Sequence, residues 1–201
     1  MVAVGDRMIK IYTRLITSIL IAIFVYDCAG STYKKMSIEN PEELLSMQDS
    51  LLRAKKNDAN ILDALVTANN KVAEQHMKQS DYISAAGYYK KATELNTSDL
   101  VSRYGLLLAD GNILVKKGNK NGIWDAIEKY SKAATLYPKN GEPYYWMAIA
   151  YTKLGDTDFD LILESYEKAL SLELDNKLRT EAEKKHKHAI ERKNKLDSFW
   201  K

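Results

Sequence analysis

One phrase occurs three times in this chain: Tyr89-Lys-Lys-Ala92-Thr-Glu-Leu95, Tyr130-Ser-Lys-Ala133-Ala-Thr-Leu136 and Tyr166-Glu-Lys-Ala169-Leu-Ser-Leu172. Each reads Tyr-x-Lys-Ala-x-x-Leu. Tyrosine, alanine and leucine follow one another every third residue, which puts all of them on one face of a helix. The alanines lie 41 and 36 residues apart (133 − 92, then 169 − 133). Self-similarity at such a period marks an array of helical repeats, in which each unit stacks on the next. With only three prolines and nine glycines in 201 residues, long helices are favoured over a sandwich or barrel rich in tight turns.

The N-terminus reads differently. Arg7, Lys10 and Arg14 precede an uncharged run from Leu15 to Tyr26. A bilayer-spanning helix needs about 20 apolar residues. This run is too short for that and suits the apolar region of a signal peptide, with the basic residues on the correct side. Cys28, the single cysteine, follows within Val25-Tyr-Asp-Cys-Ala-Gly-Ser-Thr32, so no intramolecular disulfide or Cys-rich metal site is available. The run, the cysteine and the small polar residues after it resemble a bacterial lipoprotein signal, although Tyr26 and Asp27 stand where small residues are usual. The resemblance implies that residues 1–27 are removed and that Cys28 carries a lipid. The protein is then expected in the bacterial envelope, anchored at the outer membrane and facing the periplasm. The alternatives are a cleaved secretory signal, giving a secreted or soluble periplasmic protein, or an uncleaved short anchor, with Cys28 incidental in either case.

Residues 28–39 are small and polar at first and are expected to form a flexible tether. Asn40-Pro41-Glu42-Glu43 is a helix start: a capping residue, a proline at the first position and two acids at the positive end of the dipole. It predicts an entry helix over 40–56, with Leu44, Leu45, Leu51 and Leu52 as its apolar stripe. Helix pairs are predicted over about 58–96, 98–137 and 141–174, punctuated by Ser80-Asp81, by the turn between Gly118 and Gly122, by Pro138 and by Gly155.

These residues resemble tetratricopeptide repeats. The third unit carries Tyr144, Met147, Ala148, Tyr151, Gly155, Tyr166 and Ala169; the second carries Ala126, Tyr130, Ala133 and Pro138. The first keeps Ala73, Ala85, Tyr89 and Ala92, with Ser80 in place of glycine and His76 in place of an aromatic. The resemblance implies an all-α fold, a right-handed superhelix of antiparallel helix pairs (a TPR-like α-solenoid) over 40–175. Residues 176–201 would close it as a C-terminal capping helix. That segment is basic: from Lys177 to Lys195 there are eight Lys/Arg against three Glu. Its expected role is a solvated cap sealing the last repeat, or a basic face toward anionic lipid or an acidic partner.

The family's first helices line a groove for a peptide or a partner's helix. Carried onto this chain, that implies Tyr145, Ile149, Thr152 and Lys153 in the third unit, and Asn112 and Lys116 in the second. The alternative is that Tyr145 and Ile149 pack on the C-terminal helix and fill the groove. No catalytic set, metal site or cofactor motif is legible: His186 and His188 point to different sides of a helix, and no phosphate-loop pattern occurs. A net charge of +3 is too small to argue for nucleic acid. The expectation is a non-catalytic, membrane-tethered adaptor that binds a protein or peptide partner in an envelope complex. The alternatives are an accessory subunit of an envelope enzyme, and a small-ligand binder using a tyrosine-rich concave face.

Overall fold

The computed structural model describes residues 32–55, 58–155 and 158–199. The signal segment 1–27, Cys28 and Trp200 lie outside the described residues. Among the described residues every regular element is a helix, so the fold is all-α. The chain divides into two compact units, Met1–Lys71 and Val72–Lys201.

In the first unit α1 spans 32–39, α2 Pro41–Ser46 and α3 Gln48–Ala54, and α4 (Ala59–Lys78) begins. Two expectations are corrected here. Residues 32–39 form a helix rather than a flexible tether: no glycine or proline interrupts them, Lys35 and Glu39 pair at 3.8 Å, and Ser37 is buried with its hydroxyl on Lys34 O at 2.7 Å. The entry helix is broken at Met47, whose N–H bonds back only three residues to Leu44 O, while the Ser46 hydroxyl takes Glu43 O. Pro41 does open α2, but the Asn40 side chain makes no capping bond. Asp58 caps α4 through the amides of Asn60 and Ile61.

In the second unit α4 ends and α5 (Tyr82–Leu95), α6 (Leu100–Lys117), α7 (Lys120–Leu136), α8 (Glu142–Leu154), α9 (Phe159–Ser171) and α10 (Asn176–Phe199) follow. Consecutive helices from α5 to α10 pack side by side, with additional α6–α8 and α8–α10 contacts, a TPR-like stack. The punctuation is local chemistry. Asp81, Asp99 and Asn119 cap α5, α6 and α7 by accepting from Ser84, Ser102 and Gly122 amides. Ser80 adopts φ 60° at the pattern's glycine position, and Gly118 (φ 75°) ends α6 in the left-handed conformation.

The repeated phrase is what the core is made from. Tyr89, Tyr130 and Tyr166 are buried, and Ala85, Ala92, Ala126, Ala133, Ala148 and Ala169 are all 0% exposed, so the small residues let helix backbones meet. Two glycines within α6 receive tyrosine rings: a Cβ on Gly105 would lie 2.2 Å from the Tyr89 ring, and one on Gly111 would lie 2.4 Å from the Tyr130 ring. Each glycine costs roughly 1 kcal/mol of helix propensity relative to alanine. The ring against the bare backbone is what offsets it. Loop and helix end are joined the same way. Gly141 N–H donates to Glu173 O at 2.7 Å and Glu173 N–H to Lys139 O at 2.9 Å, with Ala169 O close to where a Gly141 side chain would stand.

Candidate functional site: the groove between α8 and α10

α10 exists because Asp175 caps it, accepting from the Lys177 and Leu178 amides, and it packs through Ala182 and Ala189. Its position is fixed by polar contacts that the sequence reading missed. The Arg179 guanidinium donates to Leu170 O and Leu172 O, both at 2.9 Å, closing the carbonyl end of α9. Glu181 accepts from the Tyr145 hydroxyl at 2.8 Å. Further out, Lys193 pairs with Asp160 at 2.7 Å and the Arg192 guanidinium lies 5.7 Å from the Phe159 ring. A long-range guanidinium-to-carbonyl bond leaves no periodic trace, which is why spacing did not reveal it.

Between α8 and α10 a groove of about 760 Å³ remains. Ile149, Thr152 and Lys153 line one side, Tyr166 of α9 the base, and Lys184, Lys185, His188 and Arg192 the other side. Of the six groove residues expected from the sequence, three are therefore on this wall. Tyr145 is not. It is 2% exposed, wedged between Trp146 and Tyr166 with its hydroxyl on Glu181, and burial holds that hydroxyl well above the ordinary phenol range. Its role is to attach α10. Asn112 also turns inward: at 2% exposed, its side-chain oxygen accepts from Tyr130 at 2.8 Å. Lys116 is exposed near the end of α6 and does not line this groove. Tyr166, pushed up to about 12 by burial, stays neutral at physiological pH, as does Tyr145.

A second polar centre sits at the start of α8. Glu142, partly buried, accepts from Trp146 Nε1 at 3.2 Å and from the Tyr104 hydroxyl at 3.3 Å, and Tyr104 stands edge-on to Tyr137 at 5.0 Å. Burial raises the Glu142 carboxyl above its ordinary range, the two donors lower it again, and Asp175 raises it further. Clefts of about 730 and 400 Å³ border it, the first beside Tyr137, Pro138 and Leu178, the second beside Tyr89, Tyr104 and Leu108. Glu142 carries no distinguishing mark in the sequence, because an acid in the first turn of a helix is ordinary. Among the described residues no set of His, Cys, Asp and Glu is placed to hold a metal ion, and no helix is long and apolar enough to cross a membrane.

No protein-family model matches the chain. Among curated proteins it is similar to the TPR repeat-containing protein MJ1428 of Methanocaldococcus jannaschii, with 25% identity over 181 aligned residues that take in 73% of this chain. The match spans 30% of that relative's length. Among solved structures it is similar to the crystal structure of the P58(IPK) TPR domain, with a TM-score of 0.49 and 16% identity, covering 82% of this chain and 47% of that one.

Proposed function

We propose that this protein is a non-catalytic, membrane-tethered adaptor that holds a protein partner in a bacterial envelope complex. The observation that carries the binding half is the groove between α8 and α10. The C-terminal helix covers Tyr145 yet leaves Ile149, Thr152 and Lys153 facing about 760 Å³ of accessible space. A groove with apolar, hydroxyl and cationic groups on rigid helices suits an extended segment of another protein. The tethering half rests on sequence: the basic residues before Leu15–Tyr26 and the placement of Cys28 after it. A diacyl-type anchor holds where a single chain is marginal.

Crosslinking in intact membranes followed by mass spectrometry tests the adaptor. The same protein partner should be recovered repeatedly, and recovery of none would end the reading. Cys28→Ala should move the protein from the membrane fraction to the soluble one; retention in the membrane would refute the lipid anchor. A second reading, a small-ligand binder, is favoured by one observation: Glu142 lines two clefts, one of them walled by Tyr89, Tyr104 and Tyr137. Native mass spectrometry showing a bound small molecule, lost on Tyr104→Leu, would support it over the adaptor.

A further inference from the structure

We infer that the groove between α8 and α10 docks an acidic, extended segment of the partner protein; this deepens the adaptor reading and rests on it. The basic excess of residues 177–195 is not a uniformly solvated face, because the structure sorts its charges. Arg179 is spent on the carbonyls of Leu170 and Leu172, and Lys193 on Asp160. Lys184 and Lys185 instead line the groove, exposed, opposite the exposed Lys153 of α8, and none of the three meets a carboxylate among the described residues. Arg192 also lines the groove, its guanidinium held against the Phe159 ring. The one acid there, Glu181, already accepts the Tyr145 hydroxyl.

Beneath these cations the lining is apolar: Tyr166 and Ala189 are buried and Ile149 is partly so. A cleft lined by one sign of charge over low-dielectric walls focuses the field into itself. An acidic chain laid along it gains the attraction of the three lysines and meets one acid already hydrogen-bonded, while its backbone and methylenes cover the apolar base. A lipid surface would need the cations to stand on a face that a plane can reach. Here they line a concavity walled by α8 and α10, which an extended chain can enter.

The test is fluorescence anisotropy on the full-length chain in detergent. The probe is a dye-labelled peptide of about ten residues alternating Asp or Glu with small residues, set against its Asn/Gln isostere. The acidic peptide should bind at least about tenfold more tightly than the isostere, and its affinity should fall as salt rises from about 50 to about 300 mM. Lys184→Glu combined with Lys185→Glu should weaken it about tenfold or more, while the same charge change at exposed Lys117 and Lys120 should stay within about twofold. Equal binding of the isostere, or equal weakening in the control variant, overturns the inference. So does a preference for anionic over zwitterionic vesicles that is lost in the groove variant without any peptide binding. If the peptide fails while crosslinking still recovers a protein partner, the acidic-segment inference alone falls; if both fail, the adaptor reading falls with it.

Discussion

Substituting alanine for glycine within a helix ordinarily stabilises it, and this chain contains a pair of glycines for which the structure predicts opposite signs. Gly87 on α5 is exposed, and a Cβ added there meets nothing within 4 Å. Gly87→Ala should therefore gain roughly 0.5–1 kcal/mol from helix propensity and from a less free unfolded chain. Gly105 on α6 is buried, and its added Cβ would stand 2.2, 2.4 and 2.6 Å from three atoms of the Tyr89 ring. The ring is 4% exposed and belongs to the core that also holds Ala73, Ala85 and Ala109, so it has no open space to swing into. The same propensity gain is then set against overpacking of ~1–3 kcal/mol. The two variants should differ by that overpacking cost, or about 2–4 °C in melting temperature per kcal/mol for a chain of this size. Thermal unfolding followed by far-ultraviolet circular dichroism measures both. Adding Tyr89→Leu to Gly105→Ala should recover part of the loss, a non-additivity expected only of residues in contact. Melting temperatures that rise equally in both glycine variants would refute the argument that Tyr89 packs on bare backbone.

Three further outcomes follow from the same packing. Ala133→Leu inserts a branched side chain where none of the residue is exposed and should cost ~1–3 kcal/mol, read as a lower denaturant midpoint. Gly141→Ala places its Cβ 2.3 Å from Ala169 O, a backbone atom that cannot rotate away; it should lower the melting temperature and speed amide exchange at Glu173, whose N–H bonds Lys139 O. Glu142 has a carboxyl raised by burial, so the folded state holds its proton more tightly than the unfolded chain does, and stability declines as pH rises above the ordinary carboxylate range. Glu142→Gln keeps an oxygen for Trp146 and an amide for the Tyr104 hydroxyl to accept, and removes the charge. The variant should gain on the wild type as pH rises above the ordinary carboxylate range, and parallel stability curves would contradict this.

What the sequence made legible is what repeats. The tyrosines and alanines of the phrase recur at helical spacing because every helix pair must bury the same face, so the all-α stack follows from periodicity alone. Gly105 and Gly111 escaped notice because their meaning lies in a ring contributed by another helix. The polar contacts that position α10 escaped for the same reason: Arg179, Glu181 and Tyr145 act on neighbours 7 to 36 residues away, with no period. The resemblance to tetratricopeptide repeats put Tyr145 and Asn112 in the groove, with packing of Tyr145 on the C-terminal helix as the alternative, and for Tyr145 the alternative holds. Each is instead committed to a side-chain hydrogen bond, part-buried for Tyr145 and buried for Asn112, where leaving the Asn112 partner unsatisfied would cost about 1–3 kcal/mol. A flexible tether over 28–39 follows from the small polar residues at its start, a composition that does not register the Lys35–Glu39 ion pair one turn apart.

The most direct test of the binding account is photo-crosslinking from a single groove position in living cells. A benzophenone amino acid at exposed His188, on the groove wall, should yield one discrete protein adduct, whereas the same group at exposed Gly87 of α5 should not. No adduct from position 188, or the same adduct from both positions, would contradict the claim that the face between α8 and α10 is where a partner is held.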